Sequence, residues 1–194
     1  MNIFAVDSDP IIAAQMQCDK HVVKMTLESA QMLSTAHRLL DGKMHYDVSK
    51  TGRKVRRYVL TNANDILYKA VHQNHPCTVW TMESKANYDW HYRHFIALSE
   101  EYTYRYGKVH LCDQKLRNIL NASPKNIPDI GLTPFKLAMA QFPECIVKDD
   151  PIESYKNYYA TKVANVDMRW TKRDAPEWFT KRIETKSKKL LTSA

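Results

Sequence analysis

From Asp9 to Leu40 the chain reads as helix almost without a break. Asp9 suits an N-cap, Pro10 the first helical position, and Gly42 a left-handed C-cap, so the stretch predicts one helix of roughly eight turns. A helix that long spans a small domain, and the rest of the chain must be arranged around it. Its apolar residues cover most of the circumference, which predicts a central helix packed on several sides. The exception is a polar stripe. At about 100° per residue, Gln17, His21, Lys24, Glu28, Gln31 and Thr35 align, with Val23 and Leu27 on one side and Met25, Met32 and Ala36 on the other. A polar stripe walled by apolar residues predicts a pocket.

The remainder continues the helical pattern. The chain has 4 glycines in 194 residues, and its many Lys, Glu, Met, Ala and Leu residues favour helix over sheet. The segment from Asp41 to Arg57 reads as an exposed basic loop, followed by a helix over Tyr58 to His72 that ends at Asn74–Pro76. A longer helix runs from Glu83 to Gly107 and a shorter one from Val109 to Asn121. Pro124, Pro128, Pro134 and Pro143 exclude a long helix from 122 to 150, leaving a loop with one helical turn at Phe135 to Ala140. Asp150, Pro151 and Glu153 cap a last helix, and the end of the chain is polar and basic. Ile3 to Val6 has strand character but no partner. The expectation is an all-α fold: one compact domain over 1–194, five to seven helices around a central N-terminal helix, and a basic C-terminal tail. Repeats, low-complexity segments and a domain linker are absent from the sequence.

With 44% apolar and 26% charged residues the composition is that of an ordinary globular chain. The formal charge of +8 points to a polyanionic partner, DNA or a nucleotide. Cys18, Cys77, Cys112 and Cys145 form no CxxC pair and read as reduced thiols of a cytoplasmic protein. The pairs Cys18/His21, His75/Cys77 and His110/Cys112 match no common zinc spacing, so neither a metal nor another cofactor is expected. The start MNIFAVDSD lacks the marks of a signal peptide, and no apolar run approaches membrane-spanning length.

Three constellations carry chemistry. His21, Lys24 and Glu28 lie one and two turns apart and face one volume, a group able to hold or move protons or to lock helix packing as a salt-bridge network; Gln31 extends it. Aromatic and basic residues interleave on the later helices, with YKNYY (Tyr155 to Tyr159) preceding Lys162, as base stacking and phosphate binding require. His75 before Pro76 marks a helix start, where backbone N–H groups can hold an anion. Arg53 and Arg57 belong to the basic loop.

Asp19, His21 and Glu28, together with YKNYYATK from Tyr155 to Lys162, resemble the pyrimidine-dimer DNA glycosylases of the phage endonuclease V type. Those proteins carry Asp-x-His and then Glu seven residues on in their first long helix, and an aromatic, lysine-rich segment near the C-terminus. The resemblance implies a helical, basic, cytosolic protein, in the host cytoplasm if viral. In it the free N-terminal amine attacks the sugar C1′ to give an imine while the helix carboxylate assists. Those roles fall here to the amine of Met1 and to Glu28, with His21 and Lys162 at the substrate backbone. Such an amine is suitable chemistry, since α-amines titrate near neutrality. The pattern departs where the family has arginine: Leu27 and Gln31 stand there, and Met1-Asn2 replaces its Thr-Arg start.

Three readings follow. The first is a DNA repair glycosylase acting through Met1 and Glu28, with substrate contacts from His21, Lys24, Gln31, Arg53, Arg57, His75, Tyr155, Tyr159 and Lys162. The second is a phage protein that binds, sequesters or cleaves a nucleotide signal in the same stripe-lined pocket. The third is a helical interaction module without catalysis.

Overall fold

The structure, a computed structural model, describes residues 1–61 and 66–192, with side chains described up to residue 185. The elements in order are α1 (Pro10–Gln15), α2 (Asp19–Asp41), β1 (Lys43–Val48), β2 (Lys54–Val59), α3 (Pro76–Glu83), α4 (Lys85–Tyr106), α5 (Leu111–Leu120), α6 (Pro151–Ala160) and α7 (Glu177–Thr192), with short 3₁₀ turns at Pro143–Cys145 and Thr161–Ala164. The chain is mostly helical. It is not all-α, because β1 and β2 form an antiparallel hairpin.

The expected first helix is two. Asp9 does cap it, its carboxylate accepting from the backbone N–H groups of Ile11 and Ile12, but the helix stops at Gln15. Nothing in the local sequence forces the break; tertiary partners do. Gln17 turns inward to donate to the Ile3 carbonyl, Cys18 N–H goes to the Tyr159 hydroxyl, and Asp19 N–H goes to the Arg169 carbonyl. The backbone N–H groups of Cys18 and Asp19 leave the helical ladder because acceptors elsewhere in the fold take them. Gln17 is thereby removed from the stripe.

α2 is the central element. It packs on α3, α4 and α5. Val22, Met25 and Met32 join the N-terminal segment, Trp80, Trp90, Leu98, Tyr155 and Tyr159 in one core, while Ala30, Leu33 and Ala36 join Tyr88, Phe95, Leu116 and Leu120 in a second. Gly42 ends α2 in an extended conformation, not the left-handed one its position suggested. Glycine is needed there for another reason: a Cβ would stand 2.3 Å from the Arg38 carbonyl oxygen. Gly107, after α4, is the left-handed cap, with φ of 65° and its N–H on the Thr103 carbonyl.

The segment expected to be a loop and then a helix over Tyr58 to His72 is the hairpin and an irregular return. Gly52 adopts φ of 78° in the turn between Ser49 and Arg53, where both closing hydrogen bonds form. Residues 62–65 lie outside the described residues; 66–75 are not helical. The buried Arg38 guanidinium donates to the carbonyls of Tyr58, Leu67 and Tyr68, and Thr35 hydrogen-bonds both N–H and C=O of Val71. Backbone groups that a helix would pair internally are held by α2 instead. Similarly, Phe135 to Ala140 makes no helical turn: Phe135 packs on Trp80 and Trp90, and the Lys136 carbonyl accepts from Tyr155. The expected polar tail contains α7, anchored by buried Phe179 with Trp170 and Trp178 beside it. No helix of the described residues is long and apolar enough to cross a membrane.

Candidate functional site

The N-terminal segment folds back against α2. Asn2 is buried; its backbone N–H donates to Glu28 Oε2 at 3.0 Å and its side-chain carbonyl accepts from Phe4 N–H at 2.8 Å. Phe4 is thereby held at φ of 47°, a left-handed conformation unfavourable for a bulky side chain. Its ring lies 4.8 Å from that of His21 and 4.9 Å from that of Tyr159. This turn sets the Met1 amine 3.8 Å from Glu28 Oε2, while Lys24 Nζ approaches Glu28 Oε1 at 3.5 Å.

These groups line one cleft of about 180 Å³, walled by Met1, Phe4, His21, Lys24, Glu28 and Lys162 and completed by Asn2, Met25, Tyr158 and Val166. The Met1 side chain is 3% exposed, yet the residue as a whole is only half-buried, so its exposure lies in the backbone that bears the amine. Glu28 is 13% exposed and Lys24 64%. The carboxylate sits at the floor and the ammonium at the rim. Lys162 Nζ stands 3.7 Å above the Tyr158 ring, fixing a second cation at the opposite wall. Lys24 and Lys162 thus give the cleft two cations. Of the two apolar walls expected beside the stripe, Met25 lines the cleft, whereas Val23 and Leu27 are exposed.

His21 Nδ1 is 2.8 Å from the Tyr159 hydroxyl, which also accepts from Cys18 N–H. Burial, reinforced by the charges of Lys24 and Lys162, lowers the His21 pKa to about 4, so near neutral pH the ring is an uncharged donor–acceptor. His75 caps α3 by accepting from Cys77 N–H. It sits close enough to Met1 and Glu28 to feel both charges; burial foremost and then the terminal ammonium lower its pKa.

Met1, His21, Lys24, Glu28 and Lys162 therefore converge, and His75 adjoins them. Tyr155 and Tyr159 do not line the cleft. Both are fully buried, Tyr155 donating to the Lys136 carbonyl and Tyr159 orienting His21. Gln31 is half-buried outside the lining, Arg53 is exposed at the hairpin turn, and Arg57 faces a different cleft. Asn2, Phe4 and Tyr158 complete the site without having been singled out; only Tyr158 carried a signal, as part of YKNYY. Among the described residues no group of three or more His, Cys, Asp or Glu side chains is placed to hold a metal. A larger groove of about 570 Å³ lies between α1, α4 and α5; its Arg117 is already paired with Asp113 and Glu100, and its Arg93 is exposed. No family model, curated protein or solved structure matches the chain.

Proposed function

We propose that the chain acts on the glycosidic carbon of a nucleotide in DNA, with the Met1 amine as nucleophile and Glu28 as the proton-transferring carboxylate. One observation carries the reading: an α-amine and a carboxylate 3.8 Å apart open onto the same small, cation-rimmed cleft. In this reaction the neutral amine forms a bond to C1′ as the bond from C1′ to the base breaks. The base anion takes its proton from water, the new ammonium gives a proton to Glu28, and Glu28 passes it to O4′ as the C1′–O4′ bond breaks, leaving a protonated imine. Lys24 and Lys162, the cations of the cleft, meet the flanking phosphates of an extruded nucleotide. The volume favours this reading over a pocket for a free nucleotide. At about 180 Å³ the cleft is smaller than the roughly 300–1,000 Å³ that engulfs a whole small ligand, and suits one part of a longer one.

Glu28→Gln tests it. The amide keeps the shape and the acceptor for Asn2 N–H but cannot take a proton. Turnover of DNA carrying a damaged base is expected to fall by about 10²–10⁴-fold while binding of the same DNA stays within about threefold. Equal losses in binding and turnover would make Glu28 a binding residue and remove it from the chemistry.

A further inference from the structure

The hairpin concentrates charge in a way the Glu28 cleft does not need. Between Lys43 and Val59 stand six lysines and arginines against one aspartate, so this short ribbon carries most of the molecule's formal excess of +8. Every residue of β1 is exposed, although an isolated two-stranded ribbon is marginal in water. It is fixed at its base, where Tyr58 is tied to Arg38 of α2.

At that base lies a second cleft of about 190 Å³. Arg38, His45, Arg56, Arg57 and Lys69 line it, and among the described residues no carboxylate does. Arg38 forms the floor; its guanidinium is buried and oriented by the carbonyls of Tyr58, Leu67 and Tyr68. Arg57 Nε is buried, makes no hydrogen bond among the described residues, and has Asp47 only at 3.5 Å. With its donors engaged by those carbonyls, Arg38 contributes a fixed positive charge at the floor, and the guanidinium groups of Arg56 and Arg57 around so small a concavity suit a compact oxyanion such as phosphate. The volume admits a group, not a whole nucleotide.

We propose that this second cleft binds a backbone phosphate of a nucleic-acid strand. The position fits the first site. Glu28 and Arg38 lie on one helix, ten residues and therefore about 15 Å apart along its axis; at 3.4 Å per nucleotide along a strand, that is roughly four nucleotides. One strand can present a sugar to Glu28 and a phosphate to the hairpin together. The spacing rests on the proposed role of Glu28; the phosphate cleft itself does not.

The experiment uses the full chain and its Arg56→Gln/Lys69→Gln variant, both exposed positions. It measures affinity for inorganic phosphate, for plain oligodeoxynucleotides of one to twelve residues, and for vesicles of phosphatidylcholine with phosphatidylserine. The expected result is a rise in affinity of on the order of tenfold once the oligonucleotide exceeds about five residues, lost in the double variant, whose salt slope falls by about two. Single nucleotides, which cannot span both clefts, should show no such step with either protein. Length dependence and salt slope unchanged in the double variant would overturn the proposal. Loss confined to inorganic phosphate, without a length step, would assign the cleft to a free anion and overturn the strand; loss confined to vesicles would assign it to lipid headgroups and overturn it as well. If the step is present but no imine is trapped at Met1, the Glu28 reading fails alone.

Discussion

The two ends of the first half of α2 each hold a cluster of charges, and they differ in saturation. At the N-terminus of the helix, Asp19 accepts from Arg105 and from both the backbone and hydroxyl of Thr171, while Glu101 accepts from Arg105 and twice from Arg173. Arg105 also donates through Nη2 to the Gln15 carbonyl. Each carboxylate oxygen there is engaged at hydrogen-bond distance. Two and a half turns on, Glu28 receives one hydrogen bond, from Asn2, and two looser ionic approaches at 3.5 and 3.8 Å. The first cluster, with three hydrogen bonds on each carboxylate, clamps the 169–173 segment to the helices. The second, among the described residues, keeps lone pairs free beside the Met1 amine and an opening. Asp19 and Glu28 look alike in the sequence motif, yet one is a fastening and the other a candidate for chemistry.

That contrast is broken most forcefully at Arg105. Its side chain is fully buried, and Arg105→Ala strands two carboxylates, so urea denaturation should show a loss of about 3–5 kcal/mol. A loss under 1 kcal/mol would mean that the first cluster is no clamp. Acid sharpens the contrast next. His21 titrates near 4 when folded against about 6.5 unfolded. The unfolded chain thus binds the extra proton, and the stability His21 contributes is complete above pH 6.5 and lost as pH falls toward 4. Between pH 7 and 5 the wild type should lose about 2 kcal/mol more than His21→Gln; parallel losses would place a charged His21 in the fold. Glu28→Gln should cost stability by only about 1 kcal/mol, well below Arg105→Ala. Lys24→Gln, at an exposed rim pair, should stay within about 0.5 kcal/mol and show its effect in DNA affinity at low salt.

The helical periodicity made α2, α4 and α6 legible, and with them the convergence of His21, Lys24 and Glu28, since residues at i, i+3 and i+7 share a face whatever surrounds the helix. The break at Met16 to Cys18 was not legible, because its cause is a set of acceptors contributed by Ile3, Tyr159 and Arg169. The hairpin escaped because both faces are largely exposed and its strands lack the apolar alternation that marks a half-buried sheet; Gly52 in a basic run with Val48, Val55 and Val59 was the available signal. Phe4 entered the site through a left-handed turn fixed by Asn2, which no periodicity encodes. Tyr155 and Tyr159 read as substrate contacts because tyrosine tolerates both settings; burial with the hydroxyl satisfied decided for the core.

The most direct test of Glu28 as the open member of the pair is reductive trapping. Borohydride added while the protein reacts with abasic DNA reduces an imine to a stable amine link, and peptide mass spectrometry locates it. The adduct is expected on the α-amine of Met1, lost when a residue is added ahead of Met1 and greatly reduced in Glu28→Gln. No adduct, or one on a lysine that survives the N-terminal extension, would contradict the account.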